Sequence, residues 1–350
     1  MKPTADPSVS LLARLRHLGQ QQRLPLDTML LLYVQQGFLA RLDASSETER
    51  FVLKGGLSLF ARYRASAQPT QDLDLAAAHL PNTPEGVAQA LTRILAVPYA
   101  DGLAFGAAPL NVRVMQIESR YPGVSAQVTA QVGRARQVLP LDVSFGNVIT
   151  PAPATLDFPR LLVPEAVQVS VYPLETVVAE KFATLVELGL LTTRMKDVYD
   201  LSIISAREAL TWSSLHAAAG HSFAARGTPD GRTVLTTDFA ADEMLAGRWR
   251  QFLRRTTLPA PAEFSETMQL LNPFLIAILP DGYGRDGRPG IRSSGSGNAG
   301  NPQARFESKI AERCRRSAPE HRLKRPVPGR GLRGTGRSTV HCVRPFRSGD

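Results

Sequence analysis

The amino-acid sequence predicts an α+β protein: a mixed sheet with flanking helices, then a helical C-terminal domain, then a disordered tail. Three observations predict it. Residues 51–150 interleave short apolar, strand-like runs with helical spacing. From 173 to 280 only helical spacing recurs, and past Pro280 no hydrophobic period survives. The expected boundaries are therefore 1–150, 151–280 and 281–350.

Leu11, Leu12, Leu15 and Leu18 share one helical face. Pro25 and Asp27 open a second helix, DTMLLLYVQQGFLARL, in which Gly37 costs about 1 kcal/mol against alanine. Phe51-Val52-Leu53 reads as a short strand ending at Lys54-Gly55-Gly56, and LSLFARYR then turns helical. DLDLAAA (72–78), a helix after Pro84, and three strands follow: NVRVMQI, SAQVTAQV and RQVLPLDVSF. The middle strand alternates Ala126, Val128, Ala130 and Val132. Turn residues Pro122-Gly123 and Gly133 between them predict an antiparallel meander attached to the first strands. PLETVVAEKFATLVELG has proline at its start and glycine at its end, as helix termini favour. MKDVYDLSIISA, LTWSSLHAAAGHSFA, FAADEMLAGRWRQFLRR and FSETMQLLNPFLIAIL are further helices, the last expected to kink or break at Pro273.

The 350 residues are ample for a packed core, and their formal charge is +10. That charge is not spread evenly. Residues 1–280 hold 25 basic and 25 acidic side chains, whereas 281–350 hold 16 and 6. Both cysteines, Cys314 and Cys342, also lie in the last segment, so a disulfide framework is excluded. No run of about 18 apolar residues suggests a membrane span, and the start lacks a signal-peptide core. A cytoplasmic location is the expectation.

The chemistry concentrates in Lys54-Gly55-Gly56-Leu57-Ser58, Asp72-Leu73-Asp74 and Leu141-Asp142-Val143. Two glycines between strand and helix let backbone N–H groups approach a phosphate, and the helix dipole favours the anion. Asp-x-Asp on a strand puts two carboxylates on one face, about 6–7 Å apart at Cα. A third, within an apolar strand, needs a partner or a metal. Together they suit hard divalent cations and an in-line phosphoryl transfer. A Gly-x-Ser-x-Gly elbow and a P-loop are both missing, which argues against those hydrolase and NTPase classes.

With its order of Gly-Gly, Asp-x-Asp and a third strand aspartate, the chain resembles the nucleotidyltransferase fold of DNA polymerase β type. It is most similar to the AbiEii/AbiGii toxin branch, the toxin half of type IV toxin–antitoxin and abortive-infection systems. LKGGLSLFARY, PTQDLDL, LPLDVSFGN, PLETVVAEKFATL, TRMKDVYDLSII, FAARGTP and RWRQFLRR carry the resemblance, over most of residues 25–280. It implies Mg²⁺ (or Mn²⁺) held by Asp72, Asp74 and Asp142, and an NTP substrate whose phosphates meet Gly55 and Gly56. Lys54 and Ser58 flank those glycines, Lys181 lies near the phosphates, and Lys196, Asp197 and Asp200 form a second motif in which an aspartate serves activity. The implied acceptor is RNA, with the tRNA 3′ end as the known class. The implied partner is an AbiEi-like antitoxin encoded nearby, and the implied setting is phage defence.

Read without the family, Lys196 and Asp200 form an ordinary i,i+4 ion pair. Leu57 stands where the family commonly has Thr or Ser, and Gln68 where it often has Arg. Arg62 or Arg64 is the available substitute cation. These departures motivate the alternative of a catalytically degenerate module that binds nucleotide or antitoxin. Arg113, Arg120, Arg134 and Arg136 are candidates for an RNA path. The tail is expected to be non-native or frame-shifted, because the resemblance stops where the composition breaks. A nonspecific RNA-binding extension is the other reading.

Overall fold

The computed structural model describes residues 7–280, apart from 65–66, 68, 107–109, 116–122, 229–230 and 257. The basic tail, Gln68 and Arg120 thus lie outside the described residues.

The fold opens with α1 (Pro7–Gln22), which buries Leu11 and Leu15, and α2 (Leu26–Asp43). The second helix is apolar on nearly every side and is buried almost throughout from Met29 to Leu42, as an internal helix must be. Gly37 now has a reason: a Cβ there would fall 2.2 Å from Leu103 Cδ1 and 3.0 Å from Asp101 Oδ2. One turn later, Arg41 donates to both Asp101 carboxylate oxygens at 2.7 and 3.0 Å, and to the carbonyls of Gly37 and Leu103. Both side chains of this pair are under 5 % exposed.

One eight-stranded sheet follows. β1 (Phe51–Leu53) leads into α3 (Gly55–Tyr63), then β2 (Leu73–Ala77), α4 (Pro84–Leu95), β3 (Ala104–Phe105) and β4 (Asn111–Val114). β5 (Gly123–Val132), β6 (Ala135–Phe145), β7 (Ala154–Phe158) and β8 (Val167–Val171) complete it. The order is β3-β5-β6-β2-β1-β8-β7, with β4 also on β5. The expected meander is present: β4, β5 and β6 pair antiparallel in sequence, and β6 joins β2 in parallel. The sequence reading missed β3, β7 and β8, so strands continue past residue 150 to Val171. β3 has only two residues and β7 fully buries only Phe158, so neither carries a clear period, although Val167, Val169 and Val171 of β8 do alternate inward.

Side-chain alternation along the strands divides the molecule. Leu53, Leu73, Leu75, Leu141 and Val143 point to one face and pack with α1, α2 and α4. Val52 and Ala76 point to the other and join a second core. That core is built by α5 (Leu174–Leu188), α6 (Met195–Arg207), α7 (Trp212–Arg226), α8 (Thr237–Ala240), α9 (Glu243–Arg254) and α10 (Phe264–Ala277). Phe182, Tyr199, Trp249 and Phe264 are fully buried in it. Pro273 does not break α10. It removes one backbone bond, while Leu271, Phe274 and Leu275 beside it are buried and hold the helix in place.

The Arg41–Asp101 pair yields a stability test. Arg41→Ala leaves a buried carboxylate unpaired and should cost about 3–5 kcal/mol, read as a shifted midpoint in urea unfolding.

Candidate active site

Period two places Asp72, Asp74 and Ala76 on one side of β2, and Ala76 belongs to the core shared with the helices. The aspartates therefore look toward the helical half. β2 and β6 run parallel with Asp74 opposite Asp142, so two carboxylates from neighbouring strands stand side by side. Asp72 lies just before β2 on the same side. Burial pushes the Asp72 carboxyl up and Asp142 adds to it. Burial likewise raises Asp74; Lys54 opposes this, Asp142 and Asp72 reinforce it, and Lys181 opposes it. The three carboxylates thus repel one another, and two lysines sit within electrostatic reach.

The strand–helix turn rests directly on Asp74. Lys54 N–H donates to the Asp74 carbonyl at 2.9 Å, after which the chain turns into α3. Gly55 has φ +66°, and a Cβ there would fall 1.9 Å from Asp74 Oδ2. Only glycine satisfies both the backbone conformation and the contact. A Cβ on Gly56 would meet Thr70 at 3.1 Å and Lys196 Nζ at 3.4 Å, so the second glycine seats a lysine of the helical half against the start of α3. Two neighbours of the glycines look elsewhere. Leu57 is fully buried in the sheet-side core. Ser58 is also buried, and its Oγ donates to the Gly55 carbonyl at 2.9 Å. Ser58 thereby tightens the helix start.

The second motif forms one network. Lys181 on α5 bonds Asp197 and lies 2.9 Å from Asp200 Oδ2, both on α6. Lys196 reaches the same Asp200 oxygen at 2.9 Å, the i,i+4 pair read from the sequence. Burial works against the charge on Lys181, but Asp200 and Asp197 outweigh it and raise its pKa. Burial also works against Asp197, and Lys181 with Arg194 holds its carboxyl below the usual range. Asp200 is only 3 % exposed, and both lysines pair with it, as a buried carboxylate requires.

The structure thus brings together Asp72, Asp74, Asp142, Lys54, Gly55, Gly56, Lys181 and Lys196, with Asp197 and Asp200 behind the lysines. Sequence reasoning missed Gln35, a fully buried residue of α2 whose amide donates to the Thr70 carbonyl and fixes the approach to Asp72. Nothing in the sequence marks that residue. Of the arginines proposed for an RNA path, Arg134 and Arg136 sit at the β5–β6 hairpin, about 20 Å along the strand from Asp142. Arg113 lies opposite Ser125, itself opposite Asp142, and so shares the aspartate face two strands away.

Among the described residues no three His, Cys, Asp or Glu side chains form a ready-made metal cage. The donor set nevertheless suits a hard divalent cation: three carboxylates on neighbouring strand positions, two of them raised by burial first and then by their acidic neighbours.

The model of the Nucleotidyl transferase AbiEii toxin family, type IV toxin–antitoxin system, matches residues 37–270. The chain belongs to this family. It is a nucleotidyltransferase of the type IV toxin–antitoxin class. Among solved structures, JHP933 from Helicobacter pylori aligns at 15% identity over 72% of this chain and 91% of its own, with a TM-score of 0.44. A candidate nucleotidyltransferase from H. pylori aligns at 16% identity over 70% and 91%, with a TM-score of 0.40. No curated protein matches the chain.

The opposite pKa directions give AbiEii-family members such as this one a testable signature. Asp74, raised on folding, contributes stability that is present at low pH and lost as pH rises through its folded pKa. Asp197, lowered on folding, contributes stability that is present at neutral pH and lost as pH falls. In metal-free buffer at pH 7, Asp74→Asn should therefore raise the melting temperature and Asp197→Asn should lower it. Both differences should shrink toward about pH 4 and below, in melts run as a pH series.

Proposed function

We propose that the chain is the toxin enzyme of its system and moves a nucleoside monophosphate from an NTP to a hydroxyl of an RNA acceptor in the cytoplasm, with Mg²⁺ (or Mn²⁺) as cofactor. The tRNA 3′ end is the acceptor class favoured by the family resemblance. The observation that carries the reading is the pairing of Asp74 with Asp142, under a glycine turn that leaves space only for the Asp74 carboxylate.

In this reading Asp72, Asp74 and Asp142 hold the divalent cation, which when bound neutralises phosphate charge and acidifies a nearby hydroxyl. Gly56 and the start of α3 face the phosphates with backbone N–H groups. Lys54, Lys181 and Lys196 balance the triphosphate charge. Asp197 and Asp200 keep Lys181 charged and aimed, which makes them positioning residues. The acceptor oxygen bonds to the α-phosphorus, the bond from that phosphorus to the bridging oxygen breaks, and pyrophosphate leaves with the electron pair. The acceptor proton passes to a carboxylate or to solvent. The partner is an AbiEi-like antitoxin.

The buried Leu57 and the inward Ser58 favour one second reading, a module that binds NTP without transferring it. Purified protein incubated with Mg²⁺, each labelled NTP and total tRNA should label RNA. Asp72→Ala and Asp74→Ala should each reduce labelling by at least about 10³-fold, and chelation should abolish it. NTP binding with no label on RNA would instead identify the module.

A further inference from the structure

A groove of about 1,160 Å³ lies between the α1–α2 corner, the end of α3, the middle of β6 and the end of α9. That volume exceeds the roughly 300–1,000 Å³ of ordinary small-molecule pockets. Its floor includes Val138 and Pro140 of β6; Pro140 shares the face of Asp142, two residues along the same strand, about 7 Å away. One wall is the segment Pro69–Gln71, whose next residue is Asp72. The lining thus reaches the residue before Asp72 and the strand that carries Asp142.

Its charge is one-sided. Arg23 at the α1–α2 corner, Arg64 after α3, and Arg254 and Arg255 at the end of α9 line it, with Asp27 as the acidic member. All four arginines are exposed, and no ion pair of theirs appears among the described residues. Two of them occupy conformations that disfavour a side chain: φ is +57° at Arg23 and +48° at Arg64. Arginine thus stands at two helix ends where glycine would be less strained. Half-buried Phe60 adds an aromatic wall. Spaced guanidinium groups around an aromatic side chain, in a channel too large for one nucleotide, match a single-stranded polynucleotide. The chain has no general positive field over residues 1–280 to attract one, so a local patch must do it. Arg23 also lies outside the family match, which starts at residue 37.

We propose that this groove holds the acceptor polynucleotide: Arg23, Arg64, Arg254 and Arg255 contact its phosphates, Phe60 stacks on a base, and the terminal hydroxyl is delivered toward Asp142. The proposal rests on the transferase reading above. It assigns a surface spanning both halves of the molecule, distinct from the lysines that face the NTP.

The test measures binding of a fluorescent 12-nucleotide single-stranded RNA, and of the same sequence as DNA, by anisotropy across a salt series. Transfer is measured separately with labelled NTP, and NTP binding by calorimetry. Arg254→Gln/Arg255→Gln, and independently Arg23→Gln/Arg64→Gln, should each weaken RNA binding at least 10-fold. Each pair should flatten the salt slope by about 1.4, the share of two phosphate contacts, and leave the melting temperature unchanged, and the Arg254/Arg255 pair should also leave NTP affinity unchanged. Equal losses for RNA and DNA support phosphate readout; a larger loss for RNA supports the groove and adds sugar recognition. Unchanged RNA affinity and slope in both double variants overturns the groove, even if wild-type protein transfers label. RNA binding that depends on the arginines without any transfer by the wild type upholds the groove and overturns the transferase reading instead.

Discussion

The contact between Gly55 and the Asp74 carboxylate is the constraint on which the site depends. A carboxylate oxygen occupies the space where any other residue would carry its Cβ, and the backbone there has a positive φ. The turn from β1 into α3 can thus close directly over β2, with the Lys54 N–H bonded to the Asp74 carbonyl. Everything else is arranged around that closure. Gly56 follows and admits Lys196 from the helical half, and the register of β2 with β6 then fixes Asp142 beside Asp74. A larger side chain at position 55 would collide with the Asp74 carboxylate and push the helix start off the strand.

The electrostatics follow a similar logic, with two clusters of opposite character. Asp72 and Asp74 are partly desolvated and lie near other carboxylates, so their charge is held at the expense of folding stability. The α5–α6 network is self-satisfied: Lys181 is bracketed by Asp197 and Asp200, and its charge and theirs stabilise one another. A rigid, fully paired lysine is suited to positioning and a strained carboxylate set is suited to binding a cation. Strain concentrated at the residues of one site, beside a relaxed support, is the pattern expected of function rather than of packing.

Much of this was legible in the sequence, because the signals are local or periodic. The Gly-Gly turn, Asp-x-Asp, the meander and the i,i+4 pair of Lys196 with Asp200 each lie within a few residues of one another. What was not legible depends on contacts made across the chain. Gln35 looks like any helix-surface glutamine until α2 proves to be internal. β7 and β8 have only five residues each and become strands by pairing with each other and with β1. Ser58 reads as a phosphate ligand by adjacency, yet one step along a helix turns its hydroxyl back onto the Gly55 carbonyl. Pro273 reads as a breaker by propensity, but buried neighbours on both sides outweigh one lost bond.

Charge shows the same divide between local and long-range. Net balance over residues 1–280 suggests indifference to polyanions, but net charge says little about where charges meet. Acidic side chains such as Asp101, Asp197 and Asp200 are consumed in buried pairs with Arg41 and Lys181. Arg23, Arg64, Arg254 and Arg255 come from three separate stretches of sequence and converge only because the α1–α2 corner, the end of α3 and the end of α9 surround the segment before Asp72. The docking of the helical half on the aspartate face of the sheet therefore does two things at once. It supplies lysines to the carboxylate side, and through Arg254 and Arg255 it closes a basic groove that reaches the residue before Asp72.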